Sequence, residues 1–416
     1  MTAPAPRLLV LYHFFHPDQV VSARIFSDFA AEQARRGWDV TALTTNRSLD
    51  DEAARYPAAE TWNGVSIHRV FRPAWSQKRP VPRLGNSAWT LAAWFARALQ
   101  LGPFDAVVLG SDPSFAASLA IPLRAAWPRT PIIHWCLDVF PDAGEAEWTG
   151  ATRLLSPPVR AVMSAAYRCC DVVVDLGSCM RRRLERYGGS PARETLTPWA
   201  LVEPEASAPP DPAVRRELFG GAKLGLLYAG SISRSHDFES LLALARACRA
   251  RAGDDIAVCF ACTGTMLPAV KAAVRPDDAN IRFAPFANEA AIQRRLEAAD
   301  FHLGSLRPDF TGIVVPSKFF AALAVGRPFI FAGAADASIA EWIRALDVGF
   351  VLEPGRADDV AGRLIAVRDP TALQAARERA FAAYQTRFSK RLINDRWAAL
   401  LARVRGGRRG ATRPSA

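Results

Sequence analysis

Short apolar runs alternate with longer amphipathic stretches along most of this chain. Leu8 to Tyr12 is the first run, Ser22 to Arg36 has helical spacing that Gly37 ends, and Val40 to Thr44 is a second run; together they predict a strand, helix, strand unit. The alternation continues through Val65 to Val70, a helical stretch from Trp89 to Leu101, Ala106 to Leu109, a helix near Phe115 to Ala125, Ile132 to Cys136 and Val172 to Leu176. Strands separated by helices predict a parallel sheet covered on both faces.

A Pro-rich interval from Pro198 to Pro212 interrupts this pattern, and a fresh strand, Leu224 to Ala229, opens a second series. It runs through Ser240 to Arg251, Ile256 to Cys262, Ile281 to Phe283, Ala290 to Ala299, Phe301 to Leu306, a helix from Ser317 to Val325, and Phe329 to Phe331. The expected organisation is therefore α/β with two doubly wound domains, residues 1–203 and 204–388. A helix over 389–404 and a disordered tail over 405–416, rich in Gly and Arg, complete it. Ligands of such sheets sit beyond the carboxyl ends of the strands, so the working site is expected in a cleft between the domains.

Length agrees with two domains, since 416 residues, half of them hydrophobic, can bury two cores of about 150 to 200 residues each. Charge adds a preference for anionic partners: 52 Lys and Arg stand against 41 Asp and Glu. Nucleic acid is not expected, because no zinc-finger spacing, helix-turn-helix pattern or aromatic RNA-binding signature gives that charge a reading surface. The one Cys-x-x-Cys, Cys259 and Cys262, lies in a predicted strand whose alternation puts the two on opposite faces, so all seven cysteines are expected to be reduced and structural. No signal-peptide pattern precedes Leu8 and no run approaches about 18 apolar residues, which predicts a cytoplasmic protein. Basic clusters at Arg124 to Arg129 and Arg181 to Arg183 are candidates for contact with anionic lipid headgroups at a membrane surface.

Candidate chemistry follows the strands. Gly230 and Ser231, with Arg234 and His236 just beyond, follow the strand ending at Ala229 and lead into a helix, an arrangement suited to a diphosphate. The same residues also suit a plain turn with a solvated arginine. Thr311 to Phe320 offers Gly312 as bare backbone, Pro316 for the first turn of a helix, and Ser317 with Lys318 at that helix's positive end. In the first domain His13, His16 and Asp18 follow the first strand, and Ser111, Asp112 and Asp138 follow later ones. No Asp-x-Asp triplet provides paired carboxylates for a metal-bound nucleotide, so electrostatic help is expected from protein cations and no metal is expected.

Several ordered segments resemble glycosyltransferase family 4, whose fold is GT-B, particularly its branch in bacterial colanic-acid and other surface-polysaccharide synthesis. They are Tyr12 to Arg24, His134 to Asp142, Leu176 to Leu184, Leu227 to Phe238 and, above all, Ser305 to Pro328, so the resemblance spans nearly the whole chain. It implies transfer with retention of anomeric configuration from a nucleoside-diphosphate sugar bound by the C-terminal domain to an acceptor bound by the N-terminal one. It further implies a lipid-linked glycan as acceptor and a final helix crossing back to the first domain. On this resemblance Arg234 and Lys318, with backbone from Gly230 and Gly312, neutralise the departing diphosphate.

One departure stands out. Many family members carry two glutamates eight positions apart around this loop, where this chain has Ile313 and Ala321. Ribose recognition is then expected to involve Glu341 or backbone groups, with Gly230, Ser231, Gly312, Ile313 and Ser317 as the other donor-binding candidates. Two other readings remain open from sequence: a non-hydrolysing nucleotide-sugar epimerase on the same architecture, and an inactive GT-B relative acting as a scaffold.

Overall fold

The computed structural model describes residues 4–48, 54–76, 79–145, 156–189 and 191–410. The chain divides into two compact units, residues 1–197 with 393–416, and residues 198–392. The division thus falls at Thr197–Pro198, ahead of 203, and the last helix belongs to the first unit.

The first unit runs β1 (Arg7–Leu11), α1 (Val21–Arg35), β2 (Asp39–Thr45), β3 (Ala59–Trp62), β4 (Val65–Val70), α2 (Pro80–Leu101), β5 (Ala106–Leu109), α3 (Ala120–Ala126), β6 (Ile132–Trp135), α4 (Asp142–Glu145), α5 (Ser156–Cys169), β7 (Val172–Asp175), α6 (Ser178–Glu185) and β8 (Ala192–Thr195). Its eight strands lie in the order β3-β4-β2-β1-β5-β6-β7-β8, all parallel except β3 against β4. The apolar runs became strands because both sheet faces are covered: Leu8 to Leu11 and Val107 to Val108 are fully buried or nearly so. β1 pairs with β2 on one side (Leu8 with Val40) and β5 on the other (Leu8 with Ala106), so the chain reverses direction across the sheet at β1 and β5.

The second unit runs α7 (Pro212–Phe219), β9 (Leu224–Ser231), α8 (Phe238–Ala252), β10 (Ile256–Thr263), α9 (Leu267–Ala273), β11 (Ile281–Ala284), α10 (Glu289–Glu297), β12 (Phe301–Ser305), α11 (Lys318–Ala324), β13 (Phe329–Ala332), α12 (Ser338–Leu346), β14 (Gly349–Leu352), α13 (Ala357–Ala366) and α14 (Pro370–Arg387). Its six parallel strands lie in the order β11-β10-β9-β12-β13-β14, the doubly wound order of dinucleotide-binding folds, with the reversal between β9 and β12. Strand alternation in β10 places Val258, Phe260 and Cys262 in one core layer and Ala257, Cys259 and Ala261 in the other, so the two cysteines do lie on opposite faces. All seven cysteines are free. Arg327, fully buried after α11, donates to the carbonyls of Glu297, Ala299 and Ala208, tying the start of the unit to its centre.

The last helix, α15 (Lys390–Gly410), continues past the expected end at 404. Residues 405–410 were expected to be disordered and are helical, because the Arg- and Gly-rich stretch extends a helix already anchored by packing; residues 411–416 lie outside the described residues. The anchor is Trp397, whose ring packs 4.8 Å from both Phe29 of α1 and Trp135 of β6. Periodicity also underestimated α2, which begins at Pro80 rather than Trp89, since a proline in the first helical turn starts a helix without losing a hydrogen bond. Among the described residues no helix is long and apolar enough to cross a membrane.

Candidate functional site

Each unit carries its candidate residues where strand order reverses, the position at which open α/β sheets leave a crevice. In the second unit, β9 and β12 form that point. Lys318, first residue of α11, reaches back across it and donates from Nζ to the Ser231 carbonyl at 2.9 Å, while the ammonium lies 5.0 Å from the centre of the Tyr228 ring. Gly230, at φ +116°, makes this possible: a Cβ there would come within 3.1 Å of Lys318 Cε. The Tyr228 hydroxyl donates to the same Ser231 carbonyl, at 3.1 Å.

Dehydration in this setting pulls the Lys318 ammonium down to about 8. Among the described residues neither Lys318 nor Arg234 is paired with a carboxylate, whereas most partly buried arginines in this chain are. Arg234 is exposed in the loop after β9. That loop is shaped by His236, whose Nδ1 accepts from the Ser233 amide at 3.0 Å and whose ring is held neutral near 4 by burial and by Lys318. Two more strands support it. The Ile232 amide donates to Thr263 at the end of β10, where Gly264, at φ +113°, lets the two backbones meet; a Cβ there would lie 2.3 Å from the Ile232 carbonyl. The Arg307 amide, after β12, donates to Ser235 at 2.8 Å.

The loop before α11 turns at Gly312, φ +77°. The Thr311 and Ile313 amides on either side are spent within the loop, on Pro308 and Phe310. Ile313, expected to help bind a donor, is fully buried with its amide occupied, because the loop folds its apolar side chain into the core; it can offer only its carbonyl. Ser317 precedes α11 without capping it through its side chain. Glu341 sits in the first turn of α12, which follows β13, one strand beyond β12 in the sheet.

In the first unit, β1 and β5 form the reversal. His13 Nδ1 contacts Asp112 Oδ2 at 2.9 Å, and the His13 amide donates to the Asp112 carbonyl at 3.1 Å. The imidazole is 3% exposed, stacked 4.2 Å from Phe14, and its Nε2 is enclosed without a partner, whereas the Asp112 side chain is a third exposed. His13 therefore orients Asp112, and the carboxylate is the group that faces outward. Ser111 Oγ accepts from the amides of Leu137 and Asp138, setting the turn after β6. The carboxyl of half-buried Asp138 is raised to about 7, first by loss of solvation and then by Asp112.

His16 and Asp18 do not join this group. His16 stacks 4.4 Å from Trp62, with its amide on Ser27 and its carbonyl on Arg69, and Asp18 accepts from the Tyr56 hydroxyl at 3.0 Å. His16 secures the loop after β1 to the β3–β4 hairpin, whose antiparallel strand the sequence pattern did not show, and Asp18 secures it to Tyr56, just ahead of β3. The basic clusters are likewise largely internal: Arg181 pairs with Asp175, Arg183 with Asp142, and Arg124 with Asp171. His236 closes the segment singled out from sequence, but its part in shaping the loop was not foreseen; Tyr228 was not among the predicted site residues, its only signal being its place near the end of β9.

Two doubly wound units define the GT-B architecture, and solved structures of that fold match nearly the whole chain. Sucrose-phosphate synthase from Thermosynechococcus elongatus superposes with a TM-score of 0.71 at 14% identity, covering 97% of this chain and 100% of that one. HepE from Anabaena, solved in complex with UDP, matches with a TM-score of 0.66 at 14% identity over 95% and 99%. WaaG, a glycosyltransferase involved in lipopolysaccharide biosynthesis, matches with a TM-score of 0.65 at 16% identity over 95% and 99%. No curated protein matches the chain in sequence. Residues 22–200 match the family model of the glycosyl transferase 4-like domain. The first unit is therefore similar to a glycosyl transferase 4-like domain over residues 22–200, and the chain as a whole has the GT-B fold.

Proposed function

We propose that this enzyme transfers a sugar from a nucleoside-diphosphate sugar to a lipid-linked glycan acceptor, with retention of anomeric configuration and without a metal ion, in surface polysaccharide synthesis on the cytoplasmic face of a membrane. The observation that carries the donor side is Lys318: an ammonium without a carboxylate partner, partly stripped of water, at the strand reversal of the second unit. Such a cation is costly to hold unless an anion completes it.

A diphosphate placed there would meet Lys318, Arg234 and the backbone amides of Gly312 and Lys318, since the Phe319 and Phe320 amides already donate to Pro316 and Ser317. As the bond between the anomeric carbon and the phosphate oxygen breaks, the charge developing on that oxygen is stabilised by preorganised cations and backbone donors. The departing phosphate can take the acceptor hydroxyl's proton. The enclosed Nε2 of His13 fits this scheme, since a buried ring nitrogen cannot reach an acceptor as general base. Asp112 then orients acceptor hydroxyls instead. HepE was solved in complex with UDP-glucose, which makes UDP-sugars the first donors to try.

The test is calorimetric binding of nucleoside diphosphates and their sugars without metal, with Lys318→Ala as control. Selective binding lost in the variant establishes the donor site. Binding of none of them moves the assignment to a scaffold, and conversion of a nucleotide sugar without any acceptor moves it to an epimerase.

A further inference from the structure

Of the described large apolar side chains that face solvent, more than half fall between Phe71 and Leu99: Phe71, Trp75, Val81, Leu84, Trp89 and Leu99. They gather on α2 and the segment leading into it, and the helix is turned the unusual way round. Toward the protein it presents Asn86, Ser87 and Thr90 before Trp94 and Ala98; toward solvent it presents Val81, Leu84, Ala88, Ala92 and Leu99, spaced by three, four or seven residues along one stripe. Val81 is 81% exposed and Leu84 55%. The two indoles are fixed: Trp89 Nε1 donates to the Phe71 carbonyl at 2.7 Å, and the Trp75 ring packs over Gly85 while its carbonyl accepts from Asn86.

Charge around the stripe has one sign. From Phe71 to Phe104 the sequence contains no Asp or Glu, and neither does Pro113 to Leu137, which includes the neighbouring α3. Arg79 and Arg83 are exposed at the start of α2, and Arg55 lies 5.9 Å from the Phe71 ring. Two copies of this chain packed through the face would set arginine against arginine with no carboxylate between them. An anionic bilayer supplies both an apolar layer for the stripe and phosphates for the arginines, with the indoles at the level where amphipathic rings settle.

We infer that α2 and the Phe71–Trp75 segment form a monotopic docking face for an anionic lipid surface. This deepens the lipid-acceptor reading, on which its biological sense rests, by replacing the internally paired arginines of α6 with a defined surface. The Phe71–Trp75 segment follows the carboxyl end of β4, and the Arg72 guanidinium beside Phe71 lies 6.0 Å from the ring of Phe14, next to His13. Docking therefore brings the bilayer to the edge of the unit that carries Asp112.

The experiment is co-sedimentation of the full chain with vesicles of phosphatidylcholine alone and of phosphatidylcholine with phosphatidylglycerol, beside UDP binding by calorimetry. Binding to the anionic vesicles is expected, reduced at least about tenfold by Val81→Ser with Leu84→Ser and again by Arg79→Glu with Arg83→Glu. Both pairs are exposed, and unchanged thermal melting shows that the variants are folded. Wild-type protein that binds UDP yet stays in the supernatant with both vesicles overturns the docking face and leaves the donor site standing. Vesicle binding without nucleotide binding does the reverse. A dimer in sedimentation that Leu84→Ser dissolves, with no vesicle binding, assigns the face to a second copy and also overturns it.

Discussion

The two units solve the same topological problem with opposite charge. Each reverses strand order near its middle and lines the resulting crevice from the loops that follow the strands, yet the first unit places Asp112 and Asp138 there and the second places Lys318 and Arg234. Carboxylates accept hydrogen bonds from sugar hydroxyls, while cations and amides hold phosphate. The contrast shows that the fold sets where a ligand goes and that a few loop residues set what kind of ligand it is.

That comparison can be broken most sharply at Lys318. Lys318→Ala is expected to lower transfer by about a hundredfold to a thousandfold, at the upper part of the range for losing one preorganised charge. Steady-state kinetics with a nucleotide sugar checks this, and unchanged turnover would remove the residue from the site. Arg234→Ala, exposed and more freely hydrated, is expected to cost closer to tenfold in the same assay.

Asp112→Asn should separate the two crevices. We expect about a tenfold fall in transfer with donor affinity unchanged by calorimetry, whereas an equal loss of nucleotide binding would show that the acidic crevice is not acceptor-specific. Smaller still is the pH effect on the donor side. The Lys318 ammonium gives up its proton near 8, so nucleotide affinity is expected to weaken as pH rises through that value, and Lys318→Arg should flatten the profile.

The smallest effect is on stability. Asp138 keeps its proton to about 7 in the folded chain, while an unfolded aspartate releases it near 4. Between those values the folded state binds more protons, so stability falls as pH rises through the window. Denaturant titrations of Asp138→Asn should show that slope reduced, and an unchanged slope would assign it to other groups.

Much of this was legible in the chain itself. The apolar runs fixed the strands of both sheets, with the exceptions of β3, β8 and β14, because a strand covered on both faces must be apolar throughout. Strands such as β3, with its Ala-Glu-Thr-Trp sequence and half-exposed pattern, lie at sheet edges and carry no such signal. The positions of Lys318, Asp112 and Asp138 followed from the same rule, since each lies in the loop after a strand or opens the helix beyond it, whereas Gly230, expected just past its strand, lies within β9, which runs on to Ser231.

What the sequence determined, then, was which segments form sheets and which loops gather at their carboxyl edges, because periodicity and chain order are local properties. Tertiary structure alone decided which of those loop residues meet. It joined His13 to Asp112 across about a hundred positions while turning His16 and Asp18 aside, closed Ile313 into the core, and spent Arg181 and Arg183 on aspartates inside the first unit. It also left the apolar side of α2 facing outward, since a helix stripe shows that one face is apolar but only the packing of its neighbours shows where that face points.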